Sequence, residues 1–211
     1  MLINKAKLEK ILSKYPSISN PKRQYEQYET PSSIAASMLW NAFIRKDITG
    51  KKIADLGCGN LKLGYGALFL GAKLVVGVDI DESLVGQAES ILRDLGGDYS
   101  AKTLLINSDI RDLFINSVDT VIMNPPFGVV RRNRGLDILF LKKAMEISES
   151  IYTIHKYSPR LTRIIEELAN AFGFKIIYSE QLLFPIPMLF ETHRRKIYRV
   201  KVIFYVLKRK Q

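Results

Sequence analysis

The chain has 211 residues and a mass of 24.1 kDa, with 47% hydrophobic residues, 25% charged residues and a mean hydropathy of zero. These values predict one soluble globular domain and exclude a collagen-like chain, a disordered tail and a small disulfide-held scaffold. The 32 Lys and Arg residues outnumber the 21 Asp and Glu residues, which gives a formal charge of +11. Such a charge favours a polyanionic partner, with nucleic acid ahead of an anionic membrane.

Cysteine usage and hydropathy indicate the compartment. Cys58 is the only cysteine, so the chain can form neither an internal disulfide nor a cysteine-based zinc site, and we expect no metal centre. Residues 1–16 lack the apolar run of a signal peptide, and no segment reaches 18 uncharged apolar residues. We therefore expect a cytoplasmic protein without a membrane partner.

Taken in chain order, hydrophobic periodicity predicts helices over residues 4–14 and 31–45, joined by a polar segment. From Lys51 onward, short apolar runs alternate with helical patterns, as in βαβ units. The predicted strands are 53–56, 74–80, 103–106, 120–123 and 151–154. The predicted crossover helices are 61–70, 83–95, 136–148 and 159–172, with Ser83 and Pro159 as start signals.

The end of the chain has a different texture. Residues 174–184 and 197–207 are β-rich and have no helix between them, which predicts an antiparallel pair at one sheet edge. The prediction is an α/β fold with a seven-stranded, mostly parallel sheet and helices on both faces. We expect residues 1–211 to form a single domain, with residues 1–30 as an N-terminal helical extension.

A glycine turn follows the first predicted strand, in the segment KIADLGCGNLKLGYG (52–66). Gly57 and Gly59 would let the backbone approach a ligand at the carboxyl end of the strand. The dinucleotide fingerprint needs a third glycine where Lys62 stands, so it is not matched. Asp55, at the strand end, would repel a pyrophosphate. A ligand that carries positive charge suits this corner better.

Two further acids lie at the ends of the next two predicted strands. Asp79 stands 20 residues beyond Gly59, where a carboxylate can accept hydrogen bonds from a ribose diol, and Asp109 is placed to meet an adenine. An adenosine ligand with a cationic tail and no phosphate is implied, and S-adenosyl-L-methionine has these features. Each acid alone would be interpreted as an ordinary strand-end or helix-cap carboxylate, whereas three at successive strand ends favour a site.

The fourth predicted strand ends in the tetrapeptide Asn124, Pro125, Pro126 and Phe127, the most specific feature of the sequence. The two prolines have no N–H, so strand pairing stops and nearby carbonyls stay free to accept hydrogen bonds. With the Asn124 amide oxygen they can hold a planar exocyclic amine, and Phe127 can stack on an aromatic base. The alternative is a Pro-Pro turn with a packed Phe127. The full motif favours catalysis on such an amine, with positioning as the main effect.

Basic residues near this tetrapeptide predict contacts with RNA. Arg131, Arg132 and Arg134 lie in a loop bounded by Gly128 and Gly135, although a solvated surface loop would look the same. Further predicted contacts are His155 and Lys156, after the fifth strand, and Arg194, Arg195 and Lys196. Structural hydrogen bonding by His155 is an equally open interpretation, and charge on an edge strand also deters edge pairing.

At this point the chain resembles class I S-adenosylmethionine-dependent methyltransferases, which have a Rossmann-like fold. It is more narrowly similar to the methyltransferase-like protein five family, which methylates adenine N6 in small-subunit ribosomal RNA. The similarity rests on YEQYETPSSIAASML (25–39), IADLGCG (53–59), VVGVDID (75–81), DTVIMNPPFG (119–128) and IYTIHK (151–156). One departure is that Asn60 and Leu61 follow Gly59, where the family usually has a third glycine.

The resemblance implies roles for individual residues. Gln27 and Thr30 would close over the cofactor, and the tetrapeptide, including Asn124, would hold the target base. The implied cofactor site also comprises Asp55, Gly57, Gly59, Asn60, Asp79, Ile80, Asp109 and Ile110. The family also uses a small zinc-binding activator protein, docked at a sheet edge, and the resemblance implies that partner here.

Two other functions remain open at the sequence level. A protein-glutamine methyltransferase would present a planar NH₂ group to the same tetrapeptide, although such enzymes usually have Tyr in place of Phe127. A non-catalytic RNA-binding module would keep the basic surface without binding the cofactor. The hypothesis favoured by the sequence is methyl transfer to adenine N6 in structured, small-subunit ribosomal RNA, with the target base flipped from its stack.

Overall fold

The computed structural model describes residues 3–187 and 197–210. Its strands are β1 Lys52–Leu56, β2 Leu74–Asp79, β3 Thr103–Asn107, β4 Thr120–Met123, β5 Ser150–Lys156, β6 Phe174–Pro187 and β7 Ile197–Arg209. The α-helices are α1 Lys5–Leu12, α2 Ser32–Ile44, α3 Lys62–Phe69, α4 Glu82–Leu95, α5 Leu136–Ile147 and α6 Pro159–Ala171. Short 3₁₀ turns occupy Arg23–Tyr25, Ser100–Lys102 and Arg131–Asn133.

The described strands form one seven-stranded sheet in the order β3-β2-β1-β4-β5-β7-β6. The first five are parallel, and β7 runs antiparallel to both β5 and β6. This arrangement confirms the predicted mostly parallel sheet with an antiparallel C-terminal pair. The chain leaves β1 toward β2 on one side and later returns to β4 on the other, so a crevice opens at the carboxyl ends of β1 and β4.

Two apolar layers cover the sheet, because alternate strand residues point to opposite faces. Ile53 of β1 and Tyr152 of β5 pack with α1 to α4, whereas Ala54 and Ile151 pack with α5 and α6. The central strands are therefore apolar on both faces, as their near-continuous Val, Ile and Leu runs predict.

Two expectations about helices need correction. Helix α4 begins at Glu82, and the Asp81 side chain caps it by accepting from the Ser83 backbone N–H, so Ser83 is not the start signal. In the part of the expected helical extension that the structure describes, residues 3–30, only α1 and the turn Arg23–Tyr25 are helical. Residues 15–30, which we call the strap, run over the carboxyl end of the sheet without regular structure for most of their length.

Candidate active site

A cavity of about 340 Å³ lies beyond the carboxyl ends of the parallel strands. The β1–α3 turn, the residues that follow β2, β3 and β4, the start of α5 and the strap form its walls. All eleven residues predicted to hold the cofactor line it: Gln27, Thr30, Asp55, Gly57, Gly59, Asn60, Asp79, Ile80, Asp109, Ile110 and Asn124. The topology thus brings together side chains that are far apart in the sequence.

The glycine turn after β1 has left-handed backbone at Gly57 (φ 70°) and Gly59 (φ 54°), which glycine adopts without strain. The backbone N–H groups of Gly57 and Cys58 both donate to the Val78 carbonyl, which fixes the turn against β2. The Gly59 N–H donates to Asp79 Oδ2 at 2.8 Å, and the Asp81 N–H donates to Asp79 Oδ1 at 2.9 Å. Asp79 is therefore held by the turn it faces, and burial raises the pKa of its carboxyl.

Leu61 also has a left-handed backbone (φ 71°) and is fully buried. It lies in the segment after Gly59 where the family usually has a third glycine. Its side chain occupies space left by two glycines. A Cβ on Gly64 would stand 2.6 Å from Leu61 Cδ1, and a Cβ on Gly77 would stand at the same distance. Gly64 and Gly77 therefore make room for Leu61, whereas Gly66 makes room for Leu39.

Asp55 is the most deeply buried acid of the cavity, at 1% exposure. Its Oδ2 accepts from the Gly64 N–H at 2.8 Å, while Oδ1 has no hydrogen-bond partner among the described residues. Burial raises the pKa of this carboxyl to about 7, and the negative charge of Asp79 adds to the effect against the Gly64 hydrogen bond. Asp109, by contrast, is half-buried and paired with the Arg111 guanidinium at 2.9 Å.

Asn124 directly follows β4, and its amide orientation is fixed by the strap. Its Nδ2 donates to Thr30 Oγ1 at 3.0 Å, so the amide oxygen is the atom left over. That Oδ1 is buried and has no partner among the described residues. Pro126 also lines the cavity, next to Asn124 in the tetrapeptide. The tetrapeptide therefore presents a free acceptor, as the sequence predicts.

Phe127 is placed differently from the expectation of an exposed stacking face. It is 8% exposed and meets the edge of Phe184, with ring centroids 5.3 Å apart. Pro125 is buried as well, and neither residue is among the described residues that line the cavity. Packing accounts for both side chains in this structure. Stacking of a base on Phe127 stays a prediction that would require the contact with Phe184 to open.

The strap joins the walls of the cavity through side chains of which only Gln27 was named as a site residue in the sequence analysis. Asp81 accepts from Lys22 Nζ at 2.6 Å and from Gln27 Nε2 at 2.7 Å. Burial acts to raise the Asp81 pKa, but the hydrogen bonds from Lys22, Gln27 and Ser83 together lower it to about 2. On α3, Lys62 Nζ lies 2.6 Å from the Glu29 carboxylate. These pairs are invisible to a periodicity argument because they link an irregular segment to distant elements.

The residues expected to contact RNA divide into three groups. Arg131, Arg132 and Arg134 are exposed on residues 128–135, which we call the basic loop, and Arg132 stacks over the Tyr25 ring at 5.3 Å. Lys156 is exposed at the end of β5. Arg194, Arg195 and Lys196 lie outside the described residues.

His155 does not fit the predicted contact with RNA. It lies within β5 rather than after it and is 1% exposed. Its Nδ1 is 3.3 Å from the buried Asp137 carboxylate and its Nε2 is 3.0 Å from Thr153 Oγ1. Structural hydrogen bonding, the other interpretation left open by the sequence, describes what this ring does.

The cavity can be tested for its fit to the expected cofactor. Within the described residues, three buried side-chain atoms lack a hydrogen-bond partner: Glu26 Oε2, Asp55 Oδ1 and Asn124 Oδ1. All three are oxygen acceptors, and all three residues line this cavity. Buried acceptors without donors are costly, so a ligand with N–H donors or positive charge fits them. S-adenosylmethionine carries an ammonium, a sulfonium and an adenine, and the residues present fit it.

The described residues contain neither a metal-binding cluster nor a membrane-spanning helix. No group of three or more His, Cys, Asp or Glu side chains in that part of the chain is arranged to hold a metal ion. No described helix has the length and apolar character needed to cross a bilayer.

A sheet of this order, with a glycine turn after β1 and acceptors at the ends of β1, β2 and β4, defines a class I methyltransferase. Comparisons with known proteins agree with this class. The family model "Methyltransferase small domain" matches residues 32–148. The crystal structure of PH1948 from Pyrococcus horikoshii, described as a candidate RNA methyltransferase, superposes with a TM-score of 0.86, at 38% identity and over 100% of both chains.

Two relatives match nearly the whole chain. The rRNA N(6)-adenosine-methyltransferase METTL5 of Danio rerio is 35% identical over 205 residues, which cover 93% of this chain and 95% of the relative. The protein MJ0284 of Methanocaldococcus jannaschii is 34% identical over 212 residues, which cover 97% and 94%. The chain belongs to the methyltransferase small domain family, and S-adenosyl-L-methionine is its cofactor.

Proposed function

We propose that this methyltransferase modifies the N6 amine of an adenine in small-subunit ribosomal RNA. The observation that carries the proposal is the free, buried Oδ1 of Asn124, whose direction is set by the hydrogen bond from Nδ2 to Thr30. Support also comes from relatives such as the Danio rerio protein, whose name states rRNA adenosine N6 as its target.

The chemistry follows from the acceptor at the end of β4. An adenine N6 is a poor nucleophile because its lone pair is delocalised into the ring. Asn124 Oδ1 accepts a hydrogen bond from the amine, holds the nitrogen in line for transfer and favours its pyramidal form. Pro125 and Pro126 cannot donate hydrogen bonds, so no backbone N–H at these positions competes for that acceptor. The chemistry that bound S-adenosylmethionine supplies is an electrophilic methyl group.

Water exclusion and positioning come from the strap. Thr30 accepts the hydrogen bond that orients the Asn124 amide, and Gln27 donates a hydrogen bond to Asp81 on the opposite wall of the cavity. Because Asn124 Oδ1 is buried, a base paired in a duplex could not reach it, so the adenine must be unpaired or flipped from its stack. The exposed arginines of the basic loop lie next to the tetrapeptide in the chain, and we expect them to bind the phosphates on either side of the target base.

The proposal is tested by transfer of radiolabelled methyl from S-adenosylmethionine to purified small-subunit rRNA, followed by nucleoside analysis. The assay is run alone and with a small zinc-binding activator protein, the partner implied by the family resemblance. We expect label in N6-methyladenosine. Asn124→Ala should lower the rate by at least about 100-fold, as expected for loss of a positioned group in the transition state, and this loss should exceed any loss of cofactor affinity.

Two further variants sharpen this test. Thr30→Val removes the acceptor that orients the Asn124 amide and should reduce the rate by a smaller factor than Asn124→Ala. Asn170→Ala, an exposed asparagine at the end of α6, should match the wild type. Absence of label on RNA in both arms, despite measurable cofactor binding, would contradict the proposal. Label on a protein glutamine would favour the alternative substrate.

A further inference from the structure

Glu26 is a buried acid of the strap with an unusual backbone. It has left-handed angles (φ 52°, ψ 43°), which side-chain-bearing residues seldom adopt, and it is 5% exposed. Such a conformation persists where surrounding contacts hold it. The contacts of this carboxylate show what holds it and what it lacks.

One carboxylate oxygen binds the basic loop. Glu26 Oε1 accepts from the Val130 backbone N–H at 2.7 Å and from Asn133 Nδ2 at 3.1 Å. Asn133 Nδ2 also donates to the Gln24 carbonyl at 3.0 Å, so the loop contacts the strap at both Gln24 and Glu26. Both loop residues lie between the tetrapeptide and α5. Glu26 therefore fixes the backbone that carries the exposed arginines.

The other carboxylate oxygen of Glu26 has no such contact. Glu26 lines the cavity, and its Oε2 is buried without a hydrogen-bond partner among the described residues. A buried carboxylate oxygen in this state needs a donor. The neighbouring Gln27 sends its amide to Asp81 on the opposite wall, so it does not satisfy Oε2. An N–H or cationic group of a ligand in the cavity would supply this donor.

We propose that Glu26 is a positioning residue with two separate tasks: Oε1 holds the basic loop, and Oε2 accepts a hydrogen bond from a cationic or N–H group of the ligand in the cavity. One carboxylate thereby links the cofactor to the loop that meets the substrate. Only the identification of that substrate as RNA rests on the proposed function. The two hydrogen-bonding tasks do not.

Two substitutions separate the tasks. Glu26→Gln keeps one carbonyl oxygen, which can still accept from Val130, and turns an NH₂ donor toward the cavity. Glu26→Ala removes both. Glu89→Gln, on the exposed face of α4, is the matched control for loss of one negative charge. The measurements are hydrogen exchange of the Val130 amide in the ligand-free protein and the Kd of S-adenosylmethionine by calorimetry.

We expect the Val130 amide to exchange at the wild-type rate in Glu26→Gln and at least about ten-fold faster in Glu26→Ala, because only the second variant loses the acceptor. Binding of S-adenosylmethionine should weaken by about ten-fold or more in both, as for loss of a hydrogen bond to a charged group. The control should match the wild type in both measurements.

Either of two results would overturn the inference: unchanged Val130 exchange in Glu26→Ala, or wild-type affinity for S-adenosylmethionine in Glu26→Gln. Neither measurement contains RNA, so failure to methylate RNA would count against the proposed function and leave the roles of Glu26 intact. A uniform loss of protection across the whole chain in Glu26→Ala would indicate a purely structural role. The Gln variant, which preserves the loop contact, then decides the ligand-binding task.

Discussion

Asp55 is the residue at which folding and ligand binding oppose each other. Its carboxylate is completely buried at the end of β1, with one oxygen bonded to the Gly64 N–H and the other unpartnered. Ionisation without a ligand is unfavourable there, which is why burial raises the pKa to about 7. A cationic ligand would stabilise the ionised form. The ionised form of Asp55 is therefore unfavourable in the free protein and becomes favourable when a cationic ligand binds.

This gives a pH-dependent prediction for Asp55→Asn. The pKa in the folded protein, about 7, lies above the ordinary value of 3.8, so the folded state holds the proton more tightly. The stability from this group is full below the ordinary value and is lost as pH rises through 7. Asn cannot ionise, so the variant should gain more thermal stability relative to the wild type at pH 8 than at pH 5, where only part of the stabilisation has been lost. A gain of about 2–4 °C is expected for each kcal/mol.

Thermal unfolding of the ligand-free proteins at the two pH values checks this. Asp94→Asn, at an exposed position on α4, serves as the control and should show no such difference. The opposite effect is expected for binding, since Asp55→Asn should weaken the affinity for S-adenosylmethionine. A stability difference between variant and wild type that is the same at pH 5 and pH 8 would contradict the assigned pKa.

At the residue scale, the sequence predicted those site residues that lie at the ends of predicted strands. Asp55, Asp79 and Asn124 follow apolar strands, and parallel strand ends converge, so their meeting could be anticipated. Glu26 and Asp81 were missed. Glu26 lies in a segment without periodicity, and its partners are more than 100 residues away. The motif YEQYET contained the only signal, and nothing in it distinguishes the buried Glu26 from the salt-bridged Glu29.

At the scale of elements, the entry into α3 shows how packing resolves a local conflict. Leu61 takes a left-handed backbone that a leucine adopts at some cost, just before the helix. Burial of its side chain offsets this unfavourable conformation, because Gly64, on α3, and Gly77, on β2, leave room for it. Helix α3 can therefore lie close to the sheet, which brings the glycine turn to the edge of the cavity.

Gly64→Ala should accordingly destabilise the protein by about 1–3 kcal/mol, the usual effect of overpacking. The added Cβ would meet Leu61 Cδ1 at 2.6 Å and Val75 Cγ1 at 2.9 Å. In a Leu61→Ala background the extra cost of Gly64→Ala should shrink, although Val75 remains. Chemical denaturation of the four proteins of this cycle measures the coupling.

Gly86→Ala provides the matched control within α4, where an added Cβ meets nothing within 4 Å. There alanine should stabilise the helix by about 0.5–1 kcal/mol. Equal costs for Gly64→Ala with and without Leu61 would show that the leucine is not what fills the space.

Element boundaries were predicted to within two residues for β1 to β5, because buried parallel strands have a strong apolar signal. For the strap, the family resemblance implied that Gln27 and Thr30 close over the cofactor, but no pattern in the sequence predicted the path of the segment. Its order comes from side-chain contacts with α3, α4 and the tetrapeptide, and such tertiary pairing leaves no periodic trace in the sequence.

At the scale of the whole molecule, the charge of +11 indicates a polyanionic binding partner. The arginines of the basic loop are exposed beside the cavity and carry part of this charge. Replacing Arg131, Arg132 and Arg134 together by Ala should weaken RNA binding. Because each lost phosphate contact removes about 0.7 from the slope of log K against log salt for single strands, the slope should fall by about 2.

Fluorescence anisotropy with an adenine-containing RNA at several salt concentrations measures this slope. A control protein in which Arg160, Arg163 and Lys175 are changed to Ala loses the same charge from exposed positions around α6. That control should keep the wild-type slope. If both triple variants behave alike, net charge rather than the basic loop governs binding.

The contacts of the strap constrain the number of residues that it contains. Surface connections usually accept insertions and deletions, because few contacts depend on their spacing. Here Tyr15 donates to the Asn60 carbonyl, Glu26 holds the basic loop and Thr30 receives the Asn124 amide. Adding or removing one residue between these points would shift every later contact out of register. The irregular segment is therefore held to a fixed number of residues as strictly as a strand within the sheet.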